Sequence, residues 1–314
     1  MNATELLIAF ANAGKRVHLI GDKEAGVIVA LDMEGRLFTV IEGQVLNRVN
    51  PDAISEISSI KKYLNPGGDV LWPAPEGTML GYQYSTGEWR VPPGIRSLRY
   101  MIDTFNKKEV IIKGDVDLIN NKGLGIPTIF QRQIGIVTGK KSITVNVADS
   151  ITYRGCIELQ KENCLLAPWS LCQFDSGPDC EVVFPCSSKS SVWDLYDDSS
   201  ISQRQWTKEL CRTSTDGTMK YQIGLDKKVS WIRYYNHQYG LTVERTAKDI
   251  SKEQSYIDIR DASPKILPSP KGVRFSVYSD PTDFMEIESV GGCPVSISPG
   301  TEVSLYTITH FSIK

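Results

Sequence analysis

The chain is a succession of short extended runs separated by turn residues, and this pattern restricts its fold more than any other feature. "VIVAL" (27–31) and "RLFTVI" (36–41) flank "DMEG", a four-residue turn ending in glycine. Similar runs follow at "EVIIKGDVDLI", "TIFQRQIGIVT", "SITVNVA", "SITYRGCIEL", "LLAPWSLCQF", "EVVF", "MKYQIGL" and "VSWIRYYN". "GLTVERTA", "SYIDIR", "GVRFSVYS", "DFMEIESV" and "EVSLYTITHFSI" complete the series. About fourteen strands exceed the ~7–9 of an immunoglobulin-sized sandwich. Helical spacing is confined to the N-terminal part. "TELLIAFANAG" reads as a helix capped at Asn2 or Thr4 and closed by Gly14. "PDAISEISSIKKYL" has Pro51 in its first turn and Ile54, Ile57, Ile60 and Leu64 at helix spacing. The expectation is all-β: one large antiparallel domain over residues 1–314, with one or two short N-terminal helices. The polar stretches 185–206 and 261–272 read as loops within it.

With 35 basic and 37 acidic residues, the net charge of −2 provides no general attraction to nucleic acid or anionic membranes. No apolar run approaches the ~18 residues that span a bilayer. The N-terminus lacks the basic-then-apolar order of a secretory leader. Seven cysteines, an odd number, include Cys156, Cys164, Cys172 and Cys180 at intervals of eight. Zinc ligands in short loops usually sit two to four residues apart, which this spacing does not match. Cys156 and Cys172 both fall in apparent strands, so free and mostly buried thiols are expected, with no metal or other cofactor. These features point to the cytoplasm, a removed leader being the alternative.

Residues 65–93, "NPGGDVLWPAPEGTMLGYQYSTGEWRVPP", place Trp72, Tyr82, Tyr84 and Trp89 among glycines and prolines, with Asp69, Glu76, Glu88 and Arg90 between them. Two tryptophans are out of place in a flexible linker. The stretch reads as an ordered loop. It either roofs a sugar site with Trp72, Glu76, Trp89 and Arg90 or plugs a sheet edge.

Strand alternation nominates further residues. Arg132 shares a face with Phe130, Ile134 and Ile136, so its guanidinium must find acceptors. It either forms an internal salt bridge or offers its donor fork to a ligand at the floor of the sheet. Trp169 and Gln173 share a face with Leu165, Ala167 and Leu171, as core or as a ligand platform. Glu286 and Glu288 share a face of "FMEIESV", which marks either a solvated surface or a polar cleft.

Several motifs together resemble the galactose mutarotase-like superfamily, the aldose 1-epimerase supersandwich. They are the early hairpin carrying Gly35-Arg36, the tract "GGDVLWPAPEG", the strand "LAPWSLCQF", and the ending "FMEIESVGGCPVSISPGTEVSLYTITHFSIK". The resemblance implies an antiparallel β-supersandwich. It also implies that Glu286, with Glu288 second, occupies the position of a general base taking the proton of an anomeric hydroxyl. Family mutarotases add mid-chain histidines. His18, His237 and His310 do not match those positions, and His237 reads as an exposed turn residue or a catalytic acid.

The readings that follow are a carbohydrate-binding protein with weak or no epimerase activity, a sugar-active enzyme (epimerase, lyase or hydrolase) using Glu286 as base, and a scaffold with a degenerate cleft. The expected partner is a mono- or oligosaccharide. In the first two readings Arg132, Trp169 and Glu286 surround one hollow beneath the tryptophan stretch.

Overall fold

In the computed structural model residues 1–58, 63–82, 91–186, 188–196 and 199–314 are described, apart from the side chain of Pro93. Trp89 and Arg90 lie outside them.

Among the described residues two ten-stranded antiparallel sheets are packed face to face. The first runs in the order Val17–Gly21, Ala25–Ala30, Arg36–Ile41, Asp69–Ala74, Ala167–Asp175, Phe284–Val290, Phe275–Asp280, Tyr221–Leu225 and Val192–Asp194, with Gln44–Val45 paired to Arg36–Ile41. The second contains the long strands Glu109–Ile119, Gly125–Thr138, Ser142–Tyr153 and Glu302–Ile313 side by side in one half. Leu71, Cys172, Phe174 and Ile287 of the first sheet share one core with Phe130, Ile134, Val147 and Phe311 of the second. This is the all-β sandwich that the strand pattern predicts.

The N-terminal helix, Ala3–Asn12, is capped by Asn2 rather than Thr4. The Asn2 side chain accepts from Glu5 N at 2.9 Å, and Glu5 accepts from Asn2 N in return. Each bond satisfies a backbone donor at the helix start. Leu6 and Phe10 pack on Ile28, Ala30, Phe38 and Val40, the outward-facing residues of the early hairpin. The helix therefore covers one end of the outer face of the first sheet and leaves the other end free.

Four sequence expectations are corrected. Residues 69–74 form a buried central strand, not a loop. Pro73 stands directly opposite Pro168, and two residues without N–H groups can face each other only in a non-hydrogen-bonded pair. The helix from Pro51 ends at Ser55. Ile57, placed on its apolar face by spacing, is 93% exposed. "SITVNVA" and "SITY" are one strand, and Cys156 lies exposed beyond its end. "SYIDIR" contributes only Ser255 to a ladder, with Cys293.

Arg132 is fully buried between the sheets. Its Nε donates to Asp149 at 2.7 Å, its Nη2 to Asp69 at 2.5 Å, and its Nη1 to the carbonyls of Asp69 and Gly35 at 2.9 and 3.0 Å. Arg245 binds the other oxygen of Asp69 and donates to Thr309 at 3.0 Å and Ser170 at 3.1 Å. Two cations and two anions thus cancel inside the core. Burial pushes Asp69 up, but Arg245 and Arg132 outweigh it and hold the carboxyl below its usual range. Burial prevails at Asp149, pushed up to about 6 against the pull of Arg132. Arg132→Met leaves Asp149 without its cation and Asp69 with Arg245 alone, and is expected to cost about 3–5 kcal/mol by urea denaturation. Arg132→Met with Asp149→Leu is expected to recover part of that loss.

Candidate functional site

Strand register builds the site on the free part of the outer face of the first sheet. Gln173 stands opposite Glu286, Glu286 opposite Tyr278, and Tyr278 opposite Gln222, giving a polar row across four strands. The next row contains Val70, Leu171, Glu288, Ser276 and Gly224. Beyond it Trp72 stands opposite Trp169. Gly224 has to be glycine, because a Cβ there would meet the Trp193 ring at 2.7 Å.

These rows form the floor of a cleft lined by Trp72, Glu76, Trp169, Gln173 and Glu286, together with Arg36, Asn65, Tyr196, Gln222 and Tyr278. Trp72 and Trp169 meet edge to face, with centroids 6.3 Å apart and planes at 83°. Tyr196 and Tyr278 make a similar contact at 6.3 Å, with Lys220 above both rings. The free space in the cleft is narrow, about 30 Å³. That is roughly one water's share of liquid volume.

The carboxyl groups dominate its electrostatics. Gln173 Nε2 donates to Glu286 at 2.5 Å. Trp169 Nε1 donates to Glu288 at 3.1 Å, and Gln222 Nε2 reaches both Glu288 oxygens at 3.1 Å. Glu286 and Glu288 also hydrogen-bond each other, which requires a proton between them. Burial, reinforced by Glu288, pushes Glu286 well above the usual carboxylate range. Burial likewise pushes Glu288 up, to about 7. Burial raises the Tyr196 phenol too, helped by Glu76, Asp261, Glu288 and Glu286 around it. Arg36 is fully buried and committed, donating to Glu34, the Gly67 carbonyl and Tyr63. Among the described residues no group of three or more His, Cys, Asp or Glu side chains could hold a metal ion.

The cleft therefore unites Trp72, Glu76, Trp169, Gln173 and Glu286, with Glu288 hydrogen-bonded among them. It excludes two other candidates. Arg132 points into the inter-sheet core, where Asp69, Asp149 and backbone carbonyls use its donors, so the expectation that it lines the hollow is corrected. His237 lies in the turn after Trp231–Asn236, 3.0 Å from Glu181 and stacked on Tyr235, away from the cleft residues. Gln222 was open to the reasoning applied to Gln173, since "YQIGL" also places an amide in an apolar strand. Arg36 was quoted for the resemblance without being assigned to the site. Tyr196 lies in a stretch read as a polar loop and carried no such signal.

Two packed antiparallel sheets with a cleft on one outer face define a galactose mutarotase-like fold. The Slr1438 protein of Synechocystis sp. PCC 6803 aligns with a TM-score of 0.59 and 10% identity, over 95% of this chain and 96% of that one. A galactose mutarotase-like protein from Lactobacillus casei ATCC 334 aligns at 0.57 and 10%, over 94% and 100%. A galactose mutarotase related enzyme from Lactobacillus acidophilus aligns at 0.55 and 10%, over 95% and 100%. At such identities the likeness concerns the fold. No curated protein matches the sequence. The chain belongs to the family of unknown function DUF6786, which matches residues 7–291.

The raised carboxyls give a pH signature. Glu288 has an ordinary value of 4.5 and is pushed up to about 7, so between these values the folded protein retains a proton that the unfolded chain releases. Stability should therefore fall as pH rises from about 4.5 to about 7. Asp149 adds to the lower part of that fall. Melting temperatures of Glu288→Gln across this range are expected to show a shallower decline than the wild type.

Proposed function

We propose that the cleft binds a carbohydrate, and that the protein has weak or no aldose 1-epimerase activity. The observation that carries this reading is the convergence of Trp72 and Trp169 with Gln173, Glu286 and Glu288 on one sheet face. Sugar rings alternate C–H-rich faces with hydroxyl edges, and paired indoles beside amide and carboxyl groups suit both. The fold shared with galactose mutarotase-like proteins supports the same class of ligand.

The state of Glu286 argues for slow turnover. A general base must be ionised before it can take a proton. Burial and Glu288 favour the protonated form of Glu286, which works against its taking a further proton. The histidines lie elsewhere: His18 against Phe105, His237 on Glu181, and His310 beside Thr144. A second reading, a β-rich scaffold whose cleft is filled by its own side chains, is favoured by the small free volume of the cleft, about 30 Å³.

Titration with a panel of mono- and oligosaccharides, followed by tryptophan fluorescence, separates the two. Binding at millimolar concentration is expected, with Trp72→Ala weakening it roughly tenfold, about 1.4 kcal/mol. No response from any sugar would establish the scaffold reading. In polarimetry, any catalysed mutarotation is expected to rise with pH and to vanish in Glu286→Gln. Equal rates in both proteins would remove Glu286 from the base role.

A further inference from the structure

The buried polar atoms of the cleft with no hydrogen-bond partner among the described residues include Gln222 Oε1 and Trp72 Nε1. Gln222 is 2% exposed and Trp72 5%. Leaving such atoms unpaired is costly, so each is a vacant valence for something that enters the cleft. The reason for the first vacancy is visible. Gln222 turns its amide nitrogen onto both oxygens of Glu288, which leaves its carbonyl oxygen to accept from elsewhere.

The surrounding charge is one-sided. Glu286 and Glu288 form the floor, and half-buried Glu76 belongs to the same cleft. Among the described residues the one guanidinium there, Arg36, is matched by Glu34 and has no donor fork left for a ligand. Lys220, the other cation, is exposed and lies over the Tyr196 and Tyr278 rings. An incoming phosphate or carboxylate would meet acidic groups and, among the described residues, no free arginine. An incoming ammonium would meet an unpaired carbonyl and a carboxyl pair able to form charge-assisted hydrogen bonds, roughly twice as strong as neutral ones. The free volume among the cleft side chains, about 30 Å³, suits one such group.

We propose that the preferred ligand is an amino sugar, with its ammonium group seated between Gln222 Oε1 and the Glu286–Glu288 pair and a neighbouring oxygen accepting from Trp72 Nε1. The assignment rests on the carbohydrate reading above and narrows it to a cationic class.

Isothermal titration of the full chain at pH 7 with glucosamine, glucose and glucose 6-phosphate tests it. Glucosamine is expected to bind roughly tenfold more tightly than glucose, and glucose 6-phosphate more weakly than either. Gln222→Met and Glu76→Gln are each expected to reduce the preference for glucosamine over glucose, their folding being checked by thermal melting. Glucose binding as tightly as glucosamine in the wild type overturns the amino-sugar assignment and leaves the carbohydrate reading intact. Absence of binding by all three, together with silence across the wider sugar panel, overturns the carbohydrate reading itself.

Discussion

Asp69 is the residue on which most of the structure turns. Its carboxylate joins Arg132 from the second sheet to Arg245 from another strand of that sheet, and its own carbonyl is bound by Arg132 as well. Four charges in a dry core are tolerable only because each is matched and its remaining donors are used. A cluster of this kind favours one relative placement of the two sheets, since sliding one over the other would strand charges at high cost. Apolar packing holds the sheets together with little directionality, and the cluster supplies the direction.

The same strand supplies the cleft. Alternation sends Asp69 and Leu71 inward and Val70 and Trp72 outward, so the residue that joins the sheets lies three positions from one that meets the ligand space. Across the register, Trp72 touches Trp169, whose indole nitrogen fixes Glu288, which is hydrogen-bonded to Glu286. The acidic pair is thus positioned by an aromatic pair, and that in turn by a strand secured from behind. The N-terminal helix contributes by occupying the remaining outer face.

Much of this was legible in the sequence where a strand has one face in each environment. Glu109–Ile119 and Gly125–Thr138 alternate openly, and the outer faces of Ala167–Asp175 and Phe284–Val290 were read well enough to nominate Trp169, Gln173, Glu286 and Glu288. Asp69–Ala74 was missed because both of its faces are buried, which removes the alternation, and because Pro73 imitates a loop. The periodicity of 51–64 misled for the opposite reason: Ile57 has helix spacing but no core to face, so tertiary contact never supports it. Arg132 was correctly recognised as needing partners. Its acceptors come from Asp69 and Asp149, one of them 63 positions away, and no local pattern distinguishes such acceptors from a ligand. The cleft residues on irregular segments, Tyr196 above all, had no period to betray them.

The opposed prolines 73 and 168 give the wall of the cleft an unusual backbone. They occupy a non-hydrogen-bonded step, where the N–H of any residue would point away from the partner strand, so the two missing amide protons remove no bond between these strands. The two pyrrolidine rings fix φ beside the paired indoles, so the aromatic wall is stiffened at the backbone, while the acidic floor is held through side chains, by Gln173, Trp169 and Gln222.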